Sequence, residues 1–340
     1  MKSKHTIISN LSLLAGLMLI GCSSATLVGS AFTTLVDYSS TYVPEEGGIT
    51  FVKLTDESQE TITEPNARRN AAGRLEWWTN PMIAMSPDGE RIAFNVFKND
   101  RRNIFVRNVN GIGASTQRTF RERVNDVCFS PDGETICFSE VSGDENSYVF
   151  TTNALQGSVV QQKSSQNVQD YGPCYSPDGS KIFFTRKDKM GFSIWSYDVN
   201  NMALSNYCRG INPVPINGEE FLCVRENSSR NYELWIVNYA KGTESIILSQ
   251  ADHSFTTASL SPDGKWIVCT SNSLPGGKAS SENLDIYVVR LDGSQLTQLT
   301  YHHGHDCSPV WSSDGKKIYF LSQRGTQHGE YNIWSMDFNL

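Results

Sequence analysis

Short segments with alternating apolar and polar residues recur along the chain, and pairs of them flank one repeated turn sequence. DVCF and TICFSE flank one copy, and GPCY and KIFFTR flank another. Alternation with a period of two is typical of half-buried β-strands. In S-P-D-G the serine accepts hydrogen bonds from the turn, proline presets φ and glycine tolerates the last position, so each copy predicts a β-hairpin. The copies lie at Ser86–Gly89, Ser130–Gly133, Ser176–Gly179, Ser261–Gly264 and, as SSDG, Ser312–Gly315.

A third apolar segment follows each hairpin, and a short fourth segment, such as Gln295–Thr300, precedes the next copy. Each repeat therefore predicts four short strands. The third segments are Asn103–Val109, Tyr148–Ala154, Ile194–Val199, Leu234–Tyr239, Ile286–Leu291 and Ile333–Phe338.

The spacing of the turn glycines predicts the architecture. The gap between Gly179 and Gly264 is about twice the usual interval, and Gly218 in PINGEEFLCV marks a worn copy within it. Successive glycines are then 39 to 51 residues apart, a period typical of propellers and other arrays. We expect an all-β, six-bladed β-propeller of four-stranded blades, with an open solenoid as the alternative. Because the last repeat ends at Leu340 after its third strand, an N-terminal strand at about Ile49–Thr55 is expected to complete the last blade and close the ring.

The first residues have the pattern of an export signal. Lys2 and Lys4 precede an apolar run from Leu11 to Ile20 that is too short to span a bilayer. The LIGC sequence ending at Cys22 resembles the lipobox of bacterial lipoproteins; an ordinary signal with a chance cysteine is the alternative. We expect a signal peptide over residues 1–21, a lipidated Cys22 and flexible tether over 22–48, and the propeller over 49–340. No aspartate follows Cys22, which by resemblance to enterobacterial sorting favours the outer membrane.

The repeat frame, an aromatic residue before SPDG, an apolar strand, then a third strand with a turn and a terminal LT, resembles the periplasmic TolB-like β-propeller repeats. The resemblance covers residues 49–340 and implies a fold more than a function, since relatives range from colicin-uptake scaffolds to peptidase accessory domains. This chain departs from the TolB pattern in two ways, and both bear on which partners it binds. Only about 26 residues separate Cys22 from the first strand, too few for a separate N-terminal α/β domain, and this chain resembles a lipoprotein.

Charge and cysteine content exclude some classes of function. The net charge of −7 provides no basic face for nucleic acid. Seven cysteines remain beside Cys22, without metal-ligand spacing, and most occupy apolar strand positions. We therefore expect buried free thiols, with the disulfide state of Cys208 and Cys307 left open because they lie near loops.

One loop is a candidate for a divalent metal. The sequence YHHGHD contains three of the six histidines, and a fourth histidine precedes the previous repeat in an equivalent loop. Imidazoles and a carboxylate are suitable ligands for such an ion, although a solvated polar loop is the alternative. The candidate ligands are His253, His302, His303, His305 and Asp306.

The loops before the first strand of each repeat are expected to meet at one mouth of the channel. The longest is Glu64–Trp78, and long loops on rigid scaffolds often carry binding residues. The candidate partner-binding face comprises Trp77, Trp78, Arg121, Arg123, Asp126, Asp170, Tyr171 and Asp252.

The sequence contains no nucleophile elbow, metalloprotease helix, P-loop or dinucleotide-binding motif. The repeated turn aspartates indicate structure, because a catalytic residue is needed once. The favoured function is therefore a non-catalytic scaffold, lipid-anchored at the outer membrane and facing the periplasm, that binds an envelope protein or peptide without a cofactor. The alternative is a metal-dependent lyase-like or glycan-binding propeller that uses the histidine loop.

Overall fold

The computed structural model describes residues 45–46, 49–55, 67–69, 75–77, 83–110, 114–142, 146–157, 160–164, 167–251, 253–272, 283–325 and 330–339. In these ranges every regular element is a β-strand, and no helix there is long and apolar enough to cross a membrane. The predicted signal peptide, Cys22 and most of the tether lie outside the described residues.

The strands fall into groups that follow the sequence repeats, and we number these groups units 1 to 6. Before unit 1 come β1 (Glu45–Glu46), β2 (Ile49–Lys53), β3 (Ala67–Arg69) and β4 (Leu75–Trp77). Unit 1 has β5 (Ile83–Met85), β6 (Arg91–Lys98), β7 (Arg101–Asn108) and β8 (Thr116–Gln117). Unit 2 has β9 (Val124–Phe129), β10 (Thr135–Val141), β11 (Ser147–Asn153) and β12 (Val160–Gln162). Unit 3 has β13 (Gln169–Tyr175), β14 (Lys181–Asp188), β15 (Gly191–Asp198) and β16 (Leu204–Arg209).

Unit 4 has β17 (Ile211–Pro215), β18 (Glu220–Glu226), β19 (Tyr232–Asn238) and β20 (Thr243–Leu248). Unit 5 has β21 (Phe255–Leu260), β22 (Trp266–Ser271), β23 (Asp285–Arg290) and β24 (Thr297–Gln298). Unit 6 has β25 (Asp306–Trp311), β26 (Lys317–Ser322) and β27 (Asn332–Asp337).

Strands within a unit pair antiparallel in chain order, as the repeats predict. In the last sheet the order is β1-β2-β27-β26-β25, so β2 takes the place beside the final strand, with Phe51 opposite Met336. One parallel pair, Ser147 with Gln169, joins units 2 and 3 into one sheet. The segment Glu64–Trp78, expected as a loop, contains the antiparallel pair β3 and β4.

The serine and aspartate of each S-[PS]-D-G turn hold its backbone in one conformation. In unit 2, Ser130 Oγ donates to Asp132 Oδ1 and accepts from Thr135 N, while Asp132 Oδ1 accepts from Glu134 N. Gly133 donates from its N–H to the Ser130 carbonyl and has a φ of 71°, in the region that glycine enters without strain. The same backbone bond recurs in the four other copies, and their glycines have φ between 70° and 73°.

The worn copy in unit 4 makes its turn differently. Gly218 does not have a positive φ, and the turn closes through bonds from Ile216 N and Asn217 N to the Glu220 carbonyl. The hairpin of β17 and β18 is present nevertheless, as the spacing predicts.

The apolar core is divided into six clusters, each shared by neighbouring units. Phe138 of unit 2 packs in the cluster that contains Ile104 of unit 1, and equivalent clusters join the units that follow. The sixth cluster joins unit 6 to unit 1, with Tyr319 and Phe94 among its members. The first strands β5, β9, β13, β17, β21 and β25 also contact one another in that cyclic order. Units packed face to face around a channel make a β-propeller.

Five of the first strands contain a β-bulge with one residue in the left-handed region. At two of them, a hydroxyl on the second strand of one unit accepts the bulge N–H of the next: Asn212 N donates to Thr185 Oγ1 at 3.0 Å, and Ser308 N to Thr270 Oγ1 at 3.2 Å. These bonds satisfy backbone groups that the bulge removes from the ladder. The left-handed residues are Asp126, Gly172, Asn212, Thr257 and Ser308.

The two faces of β2 provide a test of its packing. Phe51 is 2% exposed, lies edge-on to Phe320 and faces the Arg324 guanidinium, whereas Val52 is 55% exposed. We expect Phe51→Ala to lower the free energy of unfolding by about 3–5 kcal/mol and Val52→Ala by less than about 1 kcal/mol. Urea unfolding followed by tryptophan fluorescence measures both, and equal small losses would contradict the packing of this strand.

Candidate functional site

One ring of equivalent positions forms the wall of the channel. Each of these residues lies on a first strand, at the same register opposite the second strand of its unit. All six line one cavity of about 360 Å³. They are Ala84, Cys128, Cys174, Val214, Ser259 and Val310.

The cavity has an apolar and uncharged lining. Met85, Leu260 and Trp311 contribute large apolar surfaces, and prolines from four units contribute rigid ones. None of the described lining residues is charged. Such a surface accommodates apolar side chains and offers few groups for a charged ligand. The lining prolines are Pro87, Pro173, Pro213 and Pro262.

This cavity lies at the end of the channel where the first strands run into the repeated turns. In unit 2 its wall is formed by the last three residues of β9, and in units 1, 5 and 6 it includes turn residues. The candidate face from the sequence lies at the other end, in the loops that precede the first strands. In the sequence, the residues that line the cavity are equivalent positions of the first strands. No sequence feature distinguishes them from residues of the apolar core.

Two carboxylates of the candidate face are inside the fold. Asp170 is buried and forms a two-bond ion pair with Arg186, at 2.7 and 2.8 Å, and Arg186 lies over the Trp195 ring. Burial raises the pKa of Asp170, and the Arg186 partner opposes that rise. The ion pair therefore links β13 to β14. Because Asp170 is buried, its side chain is not accessible to a docking partner.

Asp126 is the second buried carboxylate, and it occupies the bulge of β9. Its Oδ2 accepts from Ser139 Oγ at 2.6 Å and from Gly172 N of the next unit at 2.8 Å. Burial raises the pKa of Asp126 to about 6, although both hydrogen bonds and Arg102 act in the opposite direction. Its carboxylate takes the place of the Thr185 and Thr270 hydroxyls, which accept the bulge N–H in two other units.

The other members of the candidate face are placed as follows. Arg121 is half-exposed, pairs with Glu140 and lies 4.9 Å from the Phe150 ring centroid, while Arg123 is exposed and Tyr171 is partly exposed. Trp77 ends β4, but its side chain, Trp78 and Asp252 lie outside the described residues, so their part in binding stays a prediction.

The histidine side chains proposed as metal ligands contact different groups. His302 is buried, its Nδ1 accepts from Gly304 N at 3.0 Å, and burial lowers its pKa to about 4. His305 Nδ1 is 2.7 Å from the Tyr331 hydroxyl, and His253 stacks on Phe255. The exposed His303 lies near His302, with ring centroids 4.6 Å apart. In the described part of the chain no group of three or more His, Cys, Asp or Glu is arranged to hold a metal ion.

Asp306 forms a buried ion pair with Arg324, a residue that the sequence did not single out. The Arg324 guanidinium also bonds Ser322 Oγ at 3.0 Å and lies 4.1 Å from the Phe51 ring centroid. The pair therefore connects β25, β26 and β2. This arrangement differs from the expected metal site, because the carboxylate is already neutralised by a cation inside the fold.

None of the seven described cysteines forms a disulfide. Cys137, Cys223, Cys269 and Cys307 are buried, and Cys208 is half-buried. Two others, Cys128 and Cys174, belong to the cavity wall rather than to a closed core.

Asp126 gives a pH-dependent prediction. Its pKa is higher in the folded chain than the ordinary 3.8, so its contribution to stability is greatest below that value and is lost as pH rises to about 6. Relative to wild type, Asp126→Asn should gain stability between pH 4 and 7, by up to about 3 kcal/mol. Urea unfolding across this range measures the gain.

Asp178→Asn is the control, because turn hydrogen bonds lower the Asp178 pKa. It should show no gain with rising pH. A pH-independent difference for Asp126→Asn would contradict the buried carboxylate.

Comparison with known proteins identifies the repeats. The family model for the TolB beta propeller domain matches residues 78–273. The Tol-Pal system protein TolB of Francisella tularensis subsp. mediasiatica is 32% identical over 110 residues, which are 32% of this chain and 23% of that protein. An uncharacterized peptidase, YuxL of Bacillus subtilis, is 29% identical over 222 residues, 62% of this chain and 32% of that protein. These matches span between about a quarter and a third of the relatives' own length.

Solved structures agree on the fold. The putative TolB of Agrobacterium tumefaciens has a TM-score of 0.59 at 15% identity, covering 78% of this chain and 92% of that one. The oligogalacturonate lyase of Vibrio parahaemolyticus has a TM-score of 0.55 at 12% identity, covering 86% and 97%. The likeness to these structures concerns the fold alone, whereas the sequence model matches more than half of the chain. The chain belongs to the TolB β-propeller domain family.

Proposed function

We propose that residues 49–340 form a closed ring of six blades, in which β2 is the outer strand of the last blade. Three observations support this. The strand β2 pairs with β27, and Thr55 Oγ1 extends the pairing by accepting from Ile333 N at 2.8 Å. The first strands contact one another in cyclic order, and the sixth apolar cluster joins unit 6 to unit 1. Closure leaves no blade with an uncovered apolar face.

We infer that this propeller is a non-catalytic scaffold that binds a protein or peptide in the bacterial envelope. The observation that carries the proposal is the uncharged cavity lined by all six units at the turn end of the channel. An apolar pocket with rigid proline walls suits an apolar or proline-containing peptide segment, because both bury surface there without leaving a charge unpaired.

The cavity favours a peptide over an acidic glycan. An oligogalacturonate carries carboxylates, which need cationic or metal partners when they are bound. No described lining residue is cationic, and at the opposite end His302 and His305 are hydrogen-bonded to Gly304 N and the Tyr331 hydroxyl. The fold shared with oligogalacturonate lyases therefore gives no support to the same activity here.

The proposed location is the periplasmic side of the outer membrane. Residues 1–21 would direct export, acyl chains on Cys22 would hold the chain at the membrane, and residues 22–48 would serve as its tether. Removal of residues 1–21 would take away Lys2 and Lys4 and change the net charge from −7 to −9, which supports attachment through lipid, since anionic lipids repel a negatively charged protein. The TolB relatives belong by name to the Tol-Pal system, and an envelope partner is proposed here on the family likeness.

A charge placed in the cavity tests the binding function. Ser259 is half-buried on the cavity wall, so Ser259→Arg places a cation where an apolar segment would bind. A protein that binds the cavity should co-purify with the wild-type chain from detergent-solubilised envelopes. We expect its recovery with the Ser259→Arg variant to be at least about tenfold lower.

Ser245→Arg is the matched control, because Ser245 is exposed on the outer strand β20. It should retain that protein at the wild-type level. Equal recovery with both variants would contradict binding in the cavity, and circular dichroism verifies that both are folded.

A further inference from the structure

Two of the six positions on the channel wall are cysteines, and they are neighbours. Cys128 on β9 and Cys174 on β13 lie on the first strands of units 2 and 3. Their Sγ atoms are 3.3 Å apart. Both side chains are partly exposed and both line the cavity. The four other positions carry Ala84, Val214, Ser259 and Val310, so the thiols meet at one place on the ring.

The two sulfurs lie close to bonding distance. A disulfide joins its sulfurs at about 2.05 Å, so the two Sγ atoms must approach by about 1.3 Å. Small side-chain rotations provide such a movement, since the strands β9 and β13 already contact each other along the channel. Access is provided by the cavity, because both thiols face it.

A third thiol makes the two cysteines unequal. Cys137 is fully buried behind Cys128, directly opposite it in the antiparallel ladder. Hydrogen bonds from the thiols of Cys137 and Cys174 hold the pKa of Cys128 below its usual value, while the same bond and burial raise the pKa of Cys174. Because the thiolate is the nucleophile in disulfide exchange, Cys128 is the residue expected to react first.

We propose that Cys128 and Cys174 are a redox-active pair, which closes into a disulfide across two neighbouring units when a small organic disulfide enters the cavity. The Cys128 thiolate attacks one sulfur of the reagent, forming a mixed disulfide and releasing one thiolate. The Cys174 thiolate then attacks the Cys128 sulfur, which forms the Cys128–Cys174 bond and releases the second thiolate. Two electrons pass to the reagent, whose two thiolates take up the protons that the cysteines lose.

The bond would fix the cavity wall between units 2 and 3. The two first strands contact each other, and the chain between the cysteines contains β10, β11 and β12. A covalent link across that long loop restricts the unfolded chain more than the folded one, so oxidation should raise Tm by several degrees.

The experiment treats the full-length chain with excess 2-hydroxyethyl disulfide at pH 7.5, then blocks the remaining thiols with iodoacetamide during unfolding. Peptide mapping by mass spectrometry should find the Cys128 and Cys174 peptides joined, with a mass two hydrogens below their sum, and dithiothreitol should separate them. Tm should rise on oxidation and return on reduction.

Cys128→Ala and Cys174→Ala should each abolish the linked peptide and the shift in Tm. Cys269→Ala, at a buried thiol on β22, is the matched control and should keep both. Three results would overturn the pair: both cysteines alkylated after treatment, a lasting mixed disulfide on Cys128, or a bond from Cys128 to Cys137 in place of Cys174. Each of these results is obtained with the wild-type chain, so the test does not depend on whether a variant folds.

Discussion

Apolar contact between neighbouring units is the interaction on which the rest of the structure depends. Each unit is a small twisted sheet that buries one face on the unit before it and one on the unit after it, and the six clusters are shared in this way. A sheet of four short strands has too little core to be stable alone. The contact between unit 6 and unit 1 is therefore as important as any between neighbours in sequence. Phe51 of β2 packs in the cluster that joins units 5 and 6, and its ring faces the buried Arg324 guanidinium.

Because contact between units holds the blades in place, the residue at the channel wall can differ from one repeat to the next. Packing between units fixes where the first strands lie, and hydrogen bonds to Thr185 and Thr270 tie the bulges of β17 and β25 to the preceding units. The side chains at this position line the channel, and two of them, Ala84 and Val310, also pack in the clusters between units. One position in each repeat can be Ala, Cys, Val or Ser without changing the blade. A repeat protein of this kind gains its specific surface from such positions and its stability from the others.

The repeat could be predicted from the sequence because its chemistry is local. Ser130 and Asp132 satisfy their own turn, so five similar copies indicate five similar hairpins, and spacing alone identifies the sixth around Gly218. The sequence also predicted a strand at about Ile49–Thr55, and the structure has β2 (Ile49–Lys53) paired with β27, while closure of the ring by this strand is part of the proposal.

The binding surface could not be predicted in the same way. Asp126 and Asp170 stand in loop-like sequence before a strand, yet each is buried and has a partner on another strand. Nothing in the sequence singled out Arg324, because it follows β26 and its partner Asp306 begins β25, 18 residues earlier. The contact of Cys128 with Cys174 arises only when two repeats stand side by side around a channel. Local motifs fix turns, whereas these contacts depend on the arrangement of whole units.

Photo-crosslinking in intact cells tests the central claim, that the turn end of the channel receives a protein or peptide, most directly. A benzoylphenylalanine at position 214, on the cavity wall, is compared with one at position 246, on the exposed face of β20. The account predicts a discrete protein adduct that depends on ultraviolet light from position 214 and none from position 246. An adduct from position 246 alone, or none from position 214, would contradict it.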